Sequence, residues 1–269
     1  MTLSVSDSHN AFFIYRNITS YYQDGSLWDR IAGTNGYDEM EGIFPGCYFD
    51  MSRNITAPGS PSNITGNKTV IVLGCNSRKG TGPNGNVLSF NHLVCGSERW
   101  FGGGNMNSTR TTVGGYYNSN LNQTIIGQVT STGNTSGTIN EQLYAEFGNH
   151  LKSYNTFLSS RINENNPNKN NSVLGASDQW TDTFVQAMLF SETEIYGTTI
   201  FSSSGFDCGC EKIQLPAFRN SPDLVNRRAG YWLRDVQTKE TFCLVNGRGR
   251  AGSEYAENTA CFRVSFVLA

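Results

Sequence analysis

Apolar residues along this chain fall in short runs, which are separated by loops rich in glycine, asparagine and serine. The clearest run, residues 69–75, is continuous, as expected for a buried strand. Residues 42–51 predict a turn that leads into a strand, and residues 87–95 alternate well enough for another strand. Residues 100–117 contain glycine clusters without the spacing of a phosphate-binding loop, so we expect an irregular packed loop there.

One stretch has a helical period instead. Between residues 140 and 163, apolar side chains recur at spacings of three and four, which places them on one face of a helix. These residues are Leu143, Phe147, Leu151, Tyr154, Leu158 and Ile162. Thr138 and Glu141 fit a capping box at the start of this helix, and we expect its apolar face to pack against a sheet. Residues 180–196 predict a short helix or strand that passes into a strand at residues 198–201.

Residues 1–34 predict an extended N-terminal arm, and residues 35–269 predict the main domain. The arm contains two β-like pieces, at residues 11–15 and 18–22, and an Asp-Gly turn signal follows them. An arm of this kind either pairs with a neighbouring subunit or forms a simple edge strand. The first alternative makes the arm a candidate for oligomerisation or attachment.

Residues 231–269 predict a rigid apolar frame around a polar loop. Strands are expected at residues 231–236, 241–245 and 261–269, and a glycine-rich loop precedes the last of them. Binding residues are common on loops held by a rigid scaffold, and Arg and Tyr are enriched in binding hot spots. The alternative is a solvated hairpin loop. The candidate ligand-binding residues are Arg234, Asn246, Arg248, Arg250, Ser253, Glu254, Tyr255 and Asn258.

Composition narrows the class of function. The formal net charge is −2 and the isoelectric point is about 5.9, which argues against nucleic-acid binding. Charged residues make up only 16% of the chain, so the polar surface must come mainly from Asn, Ser, Thr, Gly and Tyr. This is typical of recognition surfaces, and also of β-rich proteins with many turns. Neither a signal peptide nor a membrane span is evident, so we expect a soluble protein made in a cytoplasm, without membrane insertion.

The cysteines predict neither a disulfide framework nor a metal site. Their number, seven, is odd, and they are widely spaced. Cys208 and Cys210 form the one close pair, and two thiols without a second pair or a nearby histidine do not make a zinc site. Cys243 and Cys261 lie in apolar strand patterns and are expected to be small core residues. Calcium-binding loop spacing is also missing around Asp207, so we predict no metal and no cofactor.

Signals for catalysis are weak. His92 is the one histidine in a plausible interior strand, and because no nucleophile elbow accompanies it, we expect a core residue with satisfied hydrogen bonds. Glu192 and Glu194 are two apart on a predicted strand, roughly 6.5 Å from each other, which is near the separation in retaining glycosidases. We expect Glu192 to be structural instead, with its carboxylate hydrogen-bonded to backbone.

Several motifs, taken in order, resemble the C-type-lectin-like domains of phages and of Firmicutes-type bacteria. The motifs lie at residues 31–34, 44–46, 91–94, 106–109, 114–116, 188–197, 215–218, 231–234 and 262–268. The resemblance implies an α+β fold with twisted antiparallel sheets and one or two helices, and the helix predicted near residue 140 fits it. In some relatives a retroelement diversifies the last segment, which corresponds here to residues 231–263.

The resemblance also implies a function. Relatives are virion proteins such as head fibres, capsid decorations or tail-tip proteins, so we expect a non-enzymatic virion surface protein that binds a host-surface glycan or protein, or an environmental ligand. Its partners would be capsid or tail proteins, assembly would take place in the host cytoplasm, and a homo-oligomer is expected. One alternative is a purely structural component of the particle. Another is an enzyme that acts on carbohydrate or resembles the formylglycine-generating enzyme, whose catalytic cysteine pair does not map onto this sequence.

Overall fold

The computed structural model describes residues 15–58, 67–80, 87–98, 101–127, 129–130, 133–134, 136–162, 177–202, 214–226 and 228–269. These residues form a mixed α+β fold. The helices are α1 (Thr19–Gln23), α2 (Ser26–Ala32), α3 (Ile139–Phe147), α4 (Glu192–Tyr196) and α5 (Pro216–Asn220). A π-helix spans Leu121–Gly127, and 3-10 turns span Gly148–His150 and Pro222–Leu224.

The strands follow the chain from Tyr48 to Leu268. They are β1 (Tyr48–Ile55), β2 (Asn67–Cys75), β3 (Leu93–Ser97), β4 (Gly102–Gly104), β5 (Val129–Thr130), β6 (Gly133–Asn134), β7 (Leu151–Lys152), β8 (Tyr154–Ile162), β9 (Ser177–Val185), β10 (Ala187–Leu189), β11 (Tyr231–Val236), β12 (Thr241–Val245), β13 (Ala251–Tyr255), β14 (Ala260–Phe262) and β15 (Val264–Leu268).

Two larger sheets organise these strands. The first has six strands in the order β1-β2-β3-β15-β10, with β7 also paired to β15, and all its pairs are antiparallel. The second has five strands in the order β13-β12-β11-β14-β4, and its β11–β14 pair is parallel. The pairs β8–β9 and β5–β6 form separate two-stranded ribbons. The last strand of the chain thus lies inside the first sheet, and β13 lies at an edge of the second.

Apolar clusters cover both faces of the second sheet. Trp232 and Phe242 belong to the larger cluster, whereas Leu233 and Cys243 belong to a second cluster that also takes in α5. Adjacent residues of a strand point to opposite faces, so a sheet covered on both faces needs apolar residues at consecutive positions. This explains the consecutive apolar residues at 231–233 in β11 and at 242–245 in β12.

The segment from residue 15 to residue 34 is not the extended arm that we predicted. Residues 18–22, predicted as a β-like piece, contain most of α1, and α2 follows at once. The side chains of Ile18, Leu27 and Ile31 are buried in the larger cluster. Burying these side chains in the domain is favourable, and two short helices achieve it where an extended arm would not. Residues 1–14, including most of the first predicted piece, lie outside the described residues.

The long predicted helix is wrong beyond Phe147. Helix α3 begins as expected, with the Thr138 side chain accepting a hydrogen bond from the Glu141 N–H at 3.3 Å. It ends at Gly148, whose positive φ of +55° is a conformation that glycine adopts more readily than other residues. The chain then continues into β8. Positions 154 and 158 share one face of a strand as well as of a helix, since their spacing of four is a multiple of two.

Three smaller predictions also need correction. Residues 87–92 precede β3 instead of belonging to it, and residues 198–201 form bends and irregular backbone instead of a strand. Gly102–Gly104, placed in an irregular loop, forms β4 and pairs with β14. A side chain at Gly104 would come within 3.3 Å of Ile125, so the glycine allows the π-helix to lie against this strand.

Candidate functional site

The loop between β12 and β13 has a backbone fixed by Asn246. Its side-chain oxygen accepts hydrogen bonds from the N–H groups of Arg248 at 2.9 Å and Arg250 at 3.1 Å. Gly249 adopts a φ of +78°, and its carbonyl accepts a hydrogen bond from the Tyr196 hydroxyl at 3.2 Å. Asn246 therefore builds the turn, and the turn holds both arginines, whose side chains are exposed.

A second loop lies against this turn. The Asn226 side chain accepts a hydrogen bond from the Arg228 N–H at 3.0 Å, and a Cβ atom at Gly247 would lie 3.3 Å from the Arg228 carbonyl oxygen. The two loops thus bring Arg228 beside Arg248 and Arg250, and we call these three residues the basic hairpin end. All three side chains are exposed, and none forms an ion pair within the described part of the chain.

Arg228 was not among the predicted site residues. It precedes β11 by only a few residues, in a segment whose sequence carries a basic pair. That basic pair was the available signal, although the sequence does not reveal that the loop before β11 folds against the turn after β12. The contact depends on the antiparallel pairing of β11 with β12, which brings the start of one strand beside the end of the other.

Ser253, Glu254 and Tyr255 lie on a strand, β13, and not in the predicted loop. The Tyr255 ring packs under Arg110, whose guanidinium carbon is 3.3 Å from the ring centroid. Arg110 in turn pairs with Glu240 at 3.0 Å. One Glu254 carboxylate oxygen, Oε1, accepts hydrogen bonds from the Tyr255 N–H and the Asn258 side chain, both at 2.9 Å.

The predicted site residues are therefore spread along one strand and do not line one cavity. Asn246, Arg248 and Arg250 lie at one end of β13, and Tyr255 and Asn258 lie at the other. At roughly 3.4 Å per residue, the two ends are about 17 Å apart. A small ligand could not contact both ends, so the predicted residues do not form one small-ligand site.

The prediction that Arg234 binds a ligand is wrong, because its side chain is buried. Its side chain is 3% exposed, and Nη1 donates to the Leu189 carbonyl and to Glu194 Oε2, both at 2.6 Å. Glu194 also contacts Arg78, at 2.5 Å between Nη1 and Oε1, and both of these side chains are fully buried. An Arg–Glu–Arg cluster therefore lies in the core, and Arg234 is not available to a ligand at the surface.

Arg263 is a second internal arginine. Its Nε and Nη2 atoms donate to the Ser97 carbonyl at 3.1 and 2.9 Å, and Nη1 donates to the Leu224 carbonyl at 3.0 Å. The rings of Phe190, Phe218 and Tyr231 surround its guanidinium at 5.2 to 5.7 Å. Carbonyl dipoles and aromatic faces thus stabilise this charge inside the protein.

Glu192 is structural, as predicted. Its carboxylate accepts hydrogen bonds from the N–H groups of Ile200, Phe201 and Ser202 at 2.9 to 3.2 Å, and from the Ser202 hydroxyl at 2.9 Å. The strand assignment was wrong, since Glu192 and Glu194 belong to helix α4, which begins with a capping box at Ser191. The two carboxylates therefore do not share the face of a strand, and each is engaged with different groups.

His92 is confirmed as a core residue with satisfied hydrogen bonds. It is fully buried, its Nε2 atom accepts from the Arg78 N–H at 3.0 Å, and Nδ1 lies 2.8 Å from the Phe90 carbonyl. These partners require a proton on Nδ1 and none on Nε2, so the ring is neutral. Burial lowers the pKa of His92, which favours the same neutral form.

The buried thiols are poor nucleophiles. The described cysteines are thiols and not disulfides. Burial raises the pKa of Cys47 to about 11, and burial together with the neighbouring Cys47 raises the pKa of Cys75 to about 12. Because the thiolate is the reactive form, both groups stay protonated at neutral and mildly alkaline pH. Cys243 is fully buried, as predicted, whereas Cys261 is only partly so.

We expect Cys47, Cys75 and Cys95 to resist alkylation by iodoacetamide in the native protein at mildly alkaline pH. Burial raises all three pKa values, and the side chains of Cys47 and Cys95 are also enclosed in the core and closed to the reagent. Peptide mass spectrometry would measure labelling before and after unfolding in guanidinium chloride. Rapid labelling of these three positions in the folded protein would contradict the assignment.

The described residues contain neither a cluster of metal ligands nor a helix that could cross a membrane. Among the described residues, no three His, Cys, Asp or Glu side chains lie close enough together to hold a metal ion. In the same part of the chain, every helix is too short or too polar to cross a membrane. Comparisons with protein-family models, with curated proteins and with solved structures found no match.

Proposed function

We propose that this protein is a phage virion surface protein with a C-type-lectin-like fold, and that it binds a host-surface or environmental ligand through the basic hairpin end. The observation that supports ligand binding is the exposure of Arg228, Arg248 and Arg250 on two rigid loops, without an ion-pair partner among the described residues. Arginine is enriched in binding hot spots, and binding residues are common on loops held by a rigid scaffold. The virion setting and the lectin-like fold are supported by the resemblance of the sequence motifs.

The chemistry of arginine indicates the class of ligand. A guanidinium group binds carboxylate, phosphate or sulfate through paired hydrogen bonds. The Asn226 and Asn246 turns fix the backbone that carries the three side chains, so less conformational entropy is lost on binding. The proposed ligand is therefore an anionic glycan or an acidic protein surface, and its binding should weaken as salt concentration rises.

An array of neutral, carboxylated and sulfated glycans, probed with the purified protein, tests this proposal. We expect binding to acidic glycans, and we expect the Arg228→Ala and Arg248→Ala variants each to bind about tenfold more weakly, because a hydrogen bond to a charged group contributes about 1.5 kcal/mol or more. The matched control is Arg53→Ala, which removes an exposed arginine from β1 in the other sheet. Equal binding by all four proteins would contradict ligand recognition at this end of the molecule.

The virion setting needs a separate experiment. Purified phage particles from the source culture would be labelled with a gold-conjugated antibody against this protein and examined by electron microscopy. Label at the tail tip would support a receptor-binding protein, and label over the head would support a decoration or head fibre. Particles without label would contradict the virion setting, whatever the glycan array shows.

A further inference from the structure

The outer edge of β13 carries backbone groups that point away from the sheet. In an antiparallel pair, alternate residues bond to the neighbouring strand, and the residues between them direct their N–H and C=O groups to the other side. The bonds from Asn246 N–H to the Arg250 carbonyl and from Ala256 N–H to the Glu240 carbonyl fix this alternation. Gly252 and Glu254 therefore bond to β12, whereas Ala251, Ser253 and Tyr255 face outwards.

One end of this edge is closed and the rest is open. The Tyr255 N–H donates to Glu254 Oε1, and the Tyr255 carbonyl accepts from the Asn258 N–H, both at 2.9 Å. Within the described part of the chain, the outward N–H and C=O groups of Ala251 and Ser253 have no hydrogen-bond partner. An open edge of this kind is a template for another strand.

We propose that the strand that adds here is β13 of a second copy of this protein, antiparallel and related by a two-fold axis through Gly252. In this register Ala251 of each copy lies opposite Ser253 of the other. Each such pair exchanges two backbone hydrogen bonds, so the dimer forms four and uses all the open groups of both edges. Gly252 faces its own copy in a non-bonded pair, where Cα atoms come within about 4.5 Å of each other.

The charges on β13 and directly before it select this register. Arg250 comes to lie opposite Glu254 of the second copy, and the symmetry repeats the pair on the other side of the axis, so in the dimer Arg228 and Arg248 of the basic hairpin end remain for the ligand. Arg250 is exposed and has no ion pair among the described residues. Glu254 uses Oε1 within its own chain, so Oε2 can accept the contact. Shifting the axis to Ser253 would lose both pairs, and it would direct Ala251 against the closed groups of Tyr255.

Disulfide trapping of a Gly252→Cys variant tests the register. Non-bonded pairs have the short Cβ separation that a disulfide needs, and a side chain at Gly252 would meet its nearest neighbour, Leu244, at an ordinary 3.4 Å. Under a mild oxidant, we expect the variant to form a covalent dimer on a non-reducing gel. The controls are the wild-type protein and Glu257→Cys, whose position is exposed but lies beyond the paired strand. If Gly252→Cys forms no more dimer than these controls, the proposal is wrong.

Charge exchange tests the pairing itself. In the Gly252→Cys background, Arg250→Glu places like charges opposite each other twice, and we expect about tenfold less dimer, since both attractive cross-strand pairs become repulsive. Combining Arg250→Glu with Glu254→Arg should restore the dimer. Ser253→Pro removes an outward N–H that the folded monomer does not use, and it should abolish the dimer while circular dichroism stays native. Dimer levels that none of these changes alters would overturn the proposal.

Discussion

Replacing Glu194 by glutamine is expected to lower the free energy of unfolding by about 3–5 kcal/mol, the usual cost of breaking a buried ion pair. The substitution keeps the size of the side chain but removes the negative charge that Arg78 and Arg234 both contact, at 2.5 and 2.6 Å. The side chains of all three residues are at most 3% exposed, so water cannot replace the lost interaction. Urea denaturation followed by circular dichroism would measure the change.

The matched control is Glu41→Gln. Glu41 also pairs with an arginine, Arg30, at 3.4 Å, but its side chain is 46% exposed. Exposed pairs contribute between 0 and about 1 kcal/mol, so this variant should unfold at nearly the wild-type urea concentration. If the two glutamine variants were equally stable, the buried cluster would not stabilise the core in the way its geometry indicates.

Replacing Gly115 by alanine is expected to destabilise the protein by about 3 kcal/mol or more. Gly115 has a φ of +61°, and an added Cβ atom would lie 2.4 Å from the Ser159 carbonyl oxygen. Relief of this clash would separate the loop from β8, where Ser159 accepts hydrogen bonds from the Tyr116 and Tyr117 N–H groups at 3.1 and 2.8 Å. Left-handed strain alone costs roughly 1–2 kcal/mol, and the displaced contacts add to it.

Gly137→Ala separates the two contributions. Gly137 has a φ of +78°, but nothing lies within 4 Å of an added Cβ atom. This variant should therefore show only the backbone strain, about 1–2 kcal/mol. A thermal melt that shifts by the same amount in both variants would mean that the approach of Gly115 to Ser159 contributes nothing of its own.

Strands buried on both faces were predictable from the sequence, because such strands need apolar side chains at consecutive positions. Residues 70–73 and 231–233 carry consecutive apolar side chains because both faces of their sheets are covered. Residues 154–162 were not assigned correctly, because a spacing of four fits one face of a strand as well as of a helix. The feature that decides between them is Gly148, whose positive φ lies at the end of α3.

The candidate site was predictable only in part. Asn246, Arg248 and Arg250 lie in a tight turn at the surface, and their local sequence contains the turn signals that place them there. Arg234 lies in a strand, and sequence alone does not show that Glu194, forty positions earlier, provides its buried partner. Whether an arginine lies at the surface or in the core depends on contacts between distant segments, which residue spacing does not encode.

The place of β15 in the first sheet has a consequence for how the protein folds. β15 pairs with β3, β7 and β10, so the sheet stays divided until β15 has joined it. Forming these pairs closes long loops of chain, and folds dominated by such distant contacts reach the native state slowly. Until then β3 and β10 expose apolar edges to other chains, and this protein should depend on dilution or on chaperones more than a helical protein of its length.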